Sequence, residues 1–357
     1  MGHRRPAGRS TRVPVRFGDS YPPRHHVTAS KPRSRGPAAI PYGVPVIDPV
    51  LIEVVRGELV ESVHHARAVL VSPAGEVVWS AGDVAAAIFA RSSSKPMQAI
   101  AMLRHGLDVA GADLAICGAS HLGEPFHLDA VRRVLAGAGL SEADLQNTPD
   151  LPICPTAQAD WLRAGHGPEP ITQNCSGKHA GMLRSCVRAG WPSGSYREPG
   201  HPLQLAIRAV ISEYADEPVG EMSVDGCGAP VFATSLVGLA RSYGRIAKAD
   251  SGPAAAIAQA YRDHPAYVSG TGHDDLLVHR AVPGLICKGG AEGVMAAGLP
   301  DGTGIALKIM DGAGRGRREL MVHLLRRAGV DLPALEPLAT SPVLGHGVPV
   351  GVVRVAA

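Results

Sequence analysis

The sequence predicts an α+β fold, in which a mixed or antiparallel sheet joins both ends of the folded region and a helical subdomain is inserted between its strands. Strand patterns open this region at residues 50–80 and return after residue 284. Helical spacing fills the middle of the chain. With 357 residues, 45% of them hydrophobic, the chain is long enough for one large domain or two closely packed ones.

The opening strands are predicted from apolar runs and a turn signal. Ala66–Val71 and Glu76–Ser80 flank residues 72–75, Ser-Pro-Ala-Gly, a combination typical of a β-hairpin. A helix is predicted to follow, with Ser92 as its N-cap and Pro96 in its first turn, where the missing N–H of proline costs least.

The same periodicities assign the rest of the chain. Helices are predicted at 128–137, 177–189, 202–214, 231–242 and 252–264, with a shorter one at 141–146. The apolar run 114–117 has the pattern of a strand that leads to Ser120. Near the end, strands are predicted at 284–287, 304–310 and 348–355, with a helix at 317–328.

Residues 1–42 are predicted to be a disordered basic extension, and residues 43–357 the folded domain. The first 40 residues contain eight Arg and one Lys against a single acid, Asp19. The rest of the chain therefore holds 26 Lys and Arg against 31 Asp and Glu, so the net charge of +3 comes from the extension. The extension lacks the apolar core of a secretion signal.

Composition excludes several functional classes. Aromatic residues make up only 4% of the chain, which argues against a nucleic-acid partner that stacks bases. No run reaches the roughly 20 apolar residues that cross a membrane. Six widely spaced cysteines do not resemble a disulfide scaffold. We therefore expect a cytoplasmic protein with free thiols and without a membrane or nucleic-acid partner.

The segment 91–96, Arg-Ser-Ser-Ser-Lys-Pro, contains the spacing Ser-x-x-Lys. On a helix, Ser92 and Lys95 would share one face, which would place the Ser92 hydroxyl within reach of the Lys95 amine. A lysine can activate a serine nucleophile when burial or neighbouring cations lower its pKa. The alternative is an N-capped helix with a solvated lysine.

Two further residues are candidates for the same chemistry. Ser120 lies between small residues and a histidine, where a substrate can approach the backbone closely. Lys288 ends the apolar run 284–287 and precedes two glycines. A lysine at the end of a buried strand needs a partner or a function. Ser120 could also be an ordinary turn residue.

Cys175 and Cys227 lie in loops that precede predicted helices. A helix N-terminus lowers the pKa of a thiol, and thiolates are ligands for zinc. Asp225 lies two residues before Cys227 and could bind a ligand ammonium or orient a metal ligand. Free thiols packed in small-residue loops, with Asp225 as a turn residue, are the alternative.

Six blocks of the sequence, taken in order, resemble a known family. They are 60–64 (VESVH), 91–99 (RSSSKPMQA), 117–121 (CGASH), 174–182 (NCSGKHAGM), 225–230 (DGCGAP) and 288–293 (KGGAEG). This chain resembles the asparaginase II family, the rhizobial-type or class 3 L-asparaginases, from about residue 43 to near the C-terminus. The resemblance implies a fold like that of serine β-lactamases and class A glutaminases, a homodimer, and hydrolysis of L-asparagine to L-aspartate and ammonia.

The resemblance also implies roles for individual residues. Ser92 and Lys95 match one serine–lysine tandem, and Ser120 and Lys288 match a second. Further residues match a zinc site, where a lysine stands among the ligands, and positions beside the substrate. The implied zinc ligands are Cys175, Lys178 and Cys227, and the implied substrate-binding residues are Arg91, His179 and Asp225. A zinc ion in a positioning role is expected, and no organic cofactor.

Two other functions are compatible with parts of the sequence. Ser-x-x-Lys also occurs in penicillin-interacting serine hydrolases, but the Ser-x-Asn and Lys-Thr-Gly motifs of that class do not follow here. A fluorescent penicillin that fails to label the protein would separate the two. The other possibility is a non-catalytic, zinc-stabilised ligand-binding protein, which would bind metal and ligand without releasing ammonia.

Overall fold

The α+β architecture is present in the computed structural model, which describes residues 1–2 and 48–356 of the chain. Strands at both ends of the described region share one sheet, and most helices lie between them in sequence. The basic extension predicted at 1–42, apart from Met1 and Gly2, and its boundary with the folded domain lie outside the described residues, so both stay predictions.

The main sheet has eight strands. Its order is β10-β11-β1-β2-β9-β8-β7, and β3 pairs with β2 outside this path. The strands are β1 (Val50–Arg56), β2 (Leu59–Val71), β3 (Val77–Ala81), β7 (Ile286–Gly289), β8 (Val294–Gly298), β9 (Gly304–Ile309), β10 (Ser341–Gly345) and β11 (Val348–Val355). All pairings are antiparallel, and β1 pairs with β11 over the register Ile52↔Val355 to Arg56↔Gly351. The prediction that one sheet joins both ends is confirmed.

Alternating side chains of the sheet build a core on each face. In β2, Ala66, Ala68 and Leu70 belong to one apolar cluster, whereas Val69 and Val71 belong to the other. This is the period of two that a strand imposes on its side chains. Because both sets are almost fully buried, the sheet is the middle of three layers, with helices covering each face.

The helices and the remaining strands complete the layers. The helices are α1 (Lys95–Arg104), α2 (Gly111–Cys117), α3 (Pro125–Ala136), α4 (Pro155–Arg163), α5 (Ser176–Ala189), α6 (Pro202–Ala215), α7 (Leu236–Ala247), α8 (Gly252–Asp263), α9 (Pro265–Val268), α10 (Asp274–Ala281) and α11 (Arg317–Arg327). A small sheet contains β4 (Ala87–Phe89), β5 (Met222–Val224) and β6 (Pro230–Ser235) in the order β4-β6-β5. α7 packs on β8 and β9 from one face, and α11 packs on β9 from the other.

Two predicted elements were wrong in type. The run 114–117 belongs to helix α2, not to a strand. All four of its residues are buried, so no polar face reveals the helical period. The helix predicted at 231–242 begins only at Leu236, because Pro230–Ser235 is the central strand of the small sheet and is buried throughout. Cys227 therefore precedes a strand, not a helix.

The start of α1 differs from the predicted cap. Residues Arg91–Ser94 form a 3₁₀ turn, and the α-helix begins at Lys95. Ser92 therefore lies inside the turn, and Ser94 takes the N-cap position without a side-chain capping bond. Pro96 lies in the first turn as predicted. Among the helices described here, none is long and apolar enough to cross a membrane.

Candidate active site

A cavity of about 200 Å³ brings together three of the predicted catalytic residues. Ser92 comes from the 3₁₀ turn, Ser120 from the loop after α2, and Lys288 from β7. The other lining residues are Leu122, Ile153, Asn174, His273, Gly289, Gly290, Ala291 and Arg317. The two hydroxyls and the lysine thus lie around one space of small-molecule size.

Lys95 is the fourth predicted catalytic residue, and its amine contacts Ser120. Lys95 Nζ lies 2.8 Å from Ser120 Oγ, within hydrogen-bond distance, and donates to the carbonyl oxygen of Ala119. The side chain is buried. The backbone N–H of Lys95 donates to the Ser92 carbonyl oxygen, but among the described residues no hydrogen bond joins Lys95 Nζ to the Ser92 hydroxyl, because Ser92 lies in the 3₁₀ turn that precedes the helix. Lys95 is therefore paired with Ser120 and not with the serine three positions before it.

The surroundings of Lys95 favour a neutral amine. Burial lowers the pKa of Lys95, contact with Cys175 partly offsets this effect, and the charges of Lys178 and Lys288 lower the pKa further. Within residues 48–356, no carboxylate forms a salt bridge with Lys95. An amine in this state can accept the proton of a neighbouring hydroxyl.

Lys288 has different partners from Lys95. Its Nζ donates to Asp275 Oδ2 at 3.0 Å and to the carbonyl oxygen of Gly289 at 2.8 Å. Both charged side chains are buried. The structure gives no hydrogen bond between Lys288 and Ser120 among the residues it describes, although both line the cavity.

Close backbone packing holds the 3₁₀ turn against β7. Ser93 Oγ donates to the Lys288 carbonyl at 3.0 Å, and the Tyr243 hydroxyl donates to the Ser93 carbonyl at 2.8 Å. A Cβ atom at Gly290 would lie only 2.7 Å from the Ala90 carbonyl oxygen. Glycine at 290 is therefore needed for the turn that carries Ser92 to approach the strand that carries Lys288.

Cys175, Lys178 and Cys227 lie together and form what we call the cysteine–lysine cluster. Lys178 Nζ donates to Cys227 Sγ at 3.0 Å, and the two cysteines are packed against each other beside Ala229. Cys175 is the N-cap of α5, and Lys178 lies in its first turn. Lys95 Nζ contacts Cys175 Sγ at 3.1 Å, so Lys95 joins the cluster to the cavity.

The two thiols of the cluster differ in charge. Hydrogen bonding with Cys175, opposed by burial and supported by the Lys178 ammonium, lowers the pKa of Cys227 to about 4. Contact with Cys227 and burial raise the pKa of Cys175 to about 12. The prediction that helix N-termini would make both residues thiolates is therefore wrong for Cys175, because one buried thiolate disfavours a second beside it.

The cluster offers a donor set compatible with zinc. A thiolate, a thiol and an ammonium group converge in a buried position, and zinc binds sulfur and, once deprotonated, nitrogen ligands. The described residues contain no group of three His, Cys, Asp or Glu side chains that could hold a metal ion, so a metal here would need Lys178 as a ligand. Cys175 and Lys178 would each have to release a proton first.

The three residues predicted to bind substrate lie beside the cluster. Arg91 Nε donates to Asp225 Oδ1 at 2.7 Å, and His179 Nδ1 is 2.6 Å from the Tyr196 hydroxyl. Burial opposes ionisation of Asp225, but Lys178 and Arg91 outweigh it and lower its pKa. Burial, followed by the charge of Lys178, holds the pKa of His179 well below its usual value. Arg91 is thus ion-paired and His179 neutral.

Four residues at or behind the cavity wall were given no role from the sequence. Asn174, His273 and Arg317 line the cavity, and Asp275 binds Lys288. Asn174 Oδ1 also accepts from Cys175 Sγ at 3.1 Å. Asn174 lies inside the 174–182 block, so its position was a usable signal. Asp275 had no such signal because its partner is 13 residues away in another element.

Comparison of the sequence with protein families gives one match. The sequence profile of the family described as L-asparaginase II matches residues 52–355. This range includes all ten predicted site residues. No curated protein sequence matched the chain.

Comparison with solved structures gives matches of low identity. A β-lactamase from Mycobacterium bovis is 16% identical, with a TM-score of 0.39, and the match covers 70% of this chain and 88% of that one. A structure of a protein named Mglu is 15% identical, with a TM-score of 0.42, over 79% of this chain and 71% of that one. In its native form, the match spans 64% of the Mglu chain. At TM-scores below 0.5, these similarities carry no inference about activity.

Proposed function

The chain belongs to the L-asparaginase II family, and from this premise we propose that it is an amidohydrolase that converts L-asparagine to L-aspartate and ammonia. The observation that carries the proposal is the 2.8 Å hydrogen bond between Lys95 Nζ and Ser120 Oγ beside the cavity. A hydroxyl becomes a useful nucleophile when a base lies within hydrogen-bond distance, and Lys95 meets that condition for Ser120.

In the proposed first half-reaction, Lys95 accepts the proton of Ser120 as Ser120 Oγ attacks the side-chain carbonyl carbon of L-asparagine. The carbon–nitrogen bond of the tetrahedral intermediate then breaks. The Lys95 ammonium returns its proton to the leaving nitrogen, so ammonia departs. Ser120 is left as an ester of the substrate's side-chain carboxyl group.

In the second half-reaction, water takes the place of the serine. Lys95 accepts a proton from water, and the resulting hydroxide attacks the ester carbon. The bond to Ser120 Oγ breaks, and Lys95 gives the proton to Ser120. L-Aspartate leaves, and the starting protonation state is restored, as the two-step logic of covalent catalysis requires.

Ser92 is the second candidate for the nucleophile. It lines the same cavity. It lies in the 3₁₀ turn that packs against β7, and this position supports a role near the substrate. Its hydroxyl has no lysine partner among the described residues, whereas Ser120 does. We therefore assign attack to Ser120 and a substrate contact to Ser92.

We propose that Cys175, Lys178 and Cys227 hold a zinc ion when the metal is present. A bound zinc ion would supply positive charge that orients a polar group of the substrate. Asp225, partly buried near Lys178 and paired with Arg91, could bind the substrate ammonium. The resemblance to the family is also the basis for proposing a cytoplasmic homodimer. Size-exclusion chromatography with light scattering would measure the molar mass in solution and so test the dimer.

A coupled ammonia assay tests the proposed function. Purified protein is given L-asparagine, L-glutamine or buffer alone, and ammonia release is followed with time. We expect release from L-asparagine above the buffer rate. Absence of release from either amide, in a folded and zinc-supplemented protein, would exclude the proposed function and favour a binding role.

A further inference from the structure

Lys288 differs from Lys95 in having a buried carboxylate partner. Asp275 lies in the first turn of α10 and is fully buried. Its Oδ2 accepts from Lys288 Nζ at 3.0 Å and from the backbone N–H of Gly289 at 2.9 Å. Asp275 therefore binds both the Lys288 side chain and the end of the strand that carries it.

The packing around Gly289 shows how closely this carboxylate approaches β7. A Cβ atom at residue 289 would lie 2.8 Å from Asp275 Oδ1 and 2.9 Å from Arg317 Nη1. A side chain at this position would force Asp275 or Arg317 to move. The first glycine of the Lys-Gly-Gly sequence thus permits the close approach of Asp275, and the second permits the close approach of the 3₁₀ turn.

From this arrangement we propose that Asp275 is a positioning residue that holds Lys288 in a buried ion pair at the cavity wall, so that Lys288 supplies positive charge and not a base. The proposal rests on the proposed amidohydrolase function and divides its two lysines by role. Lys95, which has no carboxylate partner in the described structure, moves protons. Lys288 stabilises negative charge that develops on the substrate carbonyl oxygen.

His273 and Arg317 also lie close to this pair. His273 Nδ1 lies 3.5 Å from Asp275 Oδ1, and Arg317 binds the Gly290 carbonyl at 3.1 Å. Burial opposes ionisation of Asp275, but Lys288, His273 and Arg317 outweigh it and hold its pKa well below the usual range. Buried Tyr243, Tyr261 and Cys287 have raised pKa values and stay neutral. Asp275 is thus an anion throughout the assay range.

Substitution of Lys288 separates charge from base chemistry. Lys288→Arg keeps the positive charge but cannot act as a base near neutral pH, and Lys288→Met removes both. We expect Lys288→Met to lower kcat for ammonia release by about 100-fold or more, as for loss of one group that stabilises an oxyanion. Lys288→Arg should retain at least ten times the kcat of Lys288→Met. Equal loss in two folded variants would overturn the proposal.

Substitution of Asp275 tests its action through Lys288. Asp275→Asn keeps the shape but leaves the buried ammonium without a counter-ion, which then loses its proton more readily. We expect kcat of Asp275→Asn to fall relative to wild type as the pH rises from 6 to 9, with little change in KM. Asp275→Glu should recover part of the loss. A pH profile parallel to that of wild type would contradict the proposal.

Double variants and a matched control complete the experiment. In a Lys288→Met background, Asp275→Asn should lower kcat by less than twofold further, because its effect acts through the missing lysine. Asp274→Asn makes the same chemical change one residue earlier, at a partly exposed position, and should leave kcat within about twofold. Equal effects of Asp275→Asn in both backgrounds would overturn the proposal.

A stability cycle keeps this inference separate from the proposed function. Unfolding free energies of Asp275→Asn, Lys288→Met and the double variant require no substrate. The double variant should be more stable than the sum of the single losses implies, because each single change leaves a buried charge unpaired. If wild type releases no ammonia, the proposed function fails, while additive stability losses would by themselves exclude a fixed ion pair.

Discussion

The cavity and the cysteine–lysine cluster meet at Lys95 but differ in how their polar groups are compensated. In the cluster, the Cys227 thiolate is matched by the Lys178 ammonium, and both are buried. In the cavity, Ser92 and Ser120 present neutral hydroxyls to an open space. Internal compensation stabilises a site, whereas hydroxyls that face free volume are available to a substrate. This difference supports our proposal that the reaction occurs in the cavity and that the cluster has a positioning role.

The largest expected effect comes from breaking the Lys95–Ser120 pair. Lys95→Met and Ser120→Ala should each reduce ammonia release by about 100-fold or more, because the base or the nucleophile is lost. The double variant should be little worse than either single variant, since the two residues act as one unit. Steady-state kinetics on the three proteins, with melting temperatures to verify folding, measure this.

Matched controls make that result specific. Lys248→Met and Ser242→Ala apply the same chemical changes to residues away from the cavity and should keep nearly full activity. Ser92→Ala should reduce the rate less than Ser120→Ala does. If Ser92→Ala abolishes activity and Ser120→Ala does not, the nucleophile is Ser92, and the cavity has to be reinterpreted around it.

Metal content tests the other side of the comparison. We expect about one zinc ion per chain by elemental analysis of wild type, and near none in Cys175→Ser. Zinc should also be lost as the pH falls, because the thiolates and the Lys178 amine take up protons. Activity of Cys175→Ser should fall less than that of Lys95→Met if the cluster positions the substrate.

Cys186→Ser is the control for this measurement. Cys186 is buried on the same helix as Lys178 but lies outside the cluster. Its substitution should leave the metal content unchanged. Equal zinc in wild type and Cys175→Ser would remove Cys175 from the proposed ligand set.

An acid-dependent loss of stability is expected on the cavity side. His127 is buried, stacks on His121 beside Ser120, and uses Nδ1 to accept from the Glu124 N–H. Burial lowers the pKa of His127 to about 4, from an ordinary value of 6.5. Between about pH 6.5 and pH 4, His127 is therefore protonated in the unfolded chain but neutral in the folded protein.

The sign of this effect follows from the lowered pKa. The contribution is fully present above pH 6.5 and is lost as the pH falls towards 4, by up to about 3 kcal/mol for a shift of this size. Unfolding free energies measured at pH 7, 5.5 and 4.5 should fall in that order, and the decline should be shallower in His127→Gln. The same slope in both proteins would show that other groups dominate the acid response.

Much of the sheet was predictable, whereas the pairing of site residues was not. The strands near both ends contain local apolar runs, so their positions followed from the sequence. That Lys95 meets Ser120 instead of Ser92 depends on where the loop after α2 packs, and on a 3₁₀ turn that Ser-x-x-Lys spacing does not reveal. The chemistry-bearing residues were found, but their partners required the fold.

A further lesson comes from buried elements. The run 114–117 in α2 and the strand β6 were each misassigned because all of their residues are buried, and periodicity needs a polar face to be visible. Asp275 was missed for a related reason. A carboxylate buried in a helix has no pattern of its own, and only contact with Lys288 distinguishes it from the neighbouring Asp274.

The smallest expected effect lies at Arg91 and Glu292, a second connection between the two regions. Both residues have positive φ, 50° and 59°, which non-glycine residues rarely adopt. Arg91 Nη1 is 3.7 Å from Glu292 Oε1, and Ala291, just before Glu292, lines the cavity. The strained loop therefore connects the cavity wall to the arginine that binds Asp225.

Glu292→Gly separates the strain from the ion pair. Glycine adopts this backbone without steric cost, which should stabilise the fold by up to about 1 kcal/mol. The exposed ion pair lost with the side chain contributes only about 0–1 kcal/mol. Arg91 still binds Asp225 in this variant, so kcat should stay within a few-fold of wild type.

Glu292→Ala removes the same carboxylate but keeps the strained backbone, so it should be less stable than Glu292→Gly. If chemical denaturation shows Glu292→Ala to be more stable than Glu292→Gly, backbone strain at residue 292 does not limit stability. If kcat falls about 100-fold in both variants, Glu292 takes part in the reaction in the cavity, and the contrast between the two regions has to be redrawn.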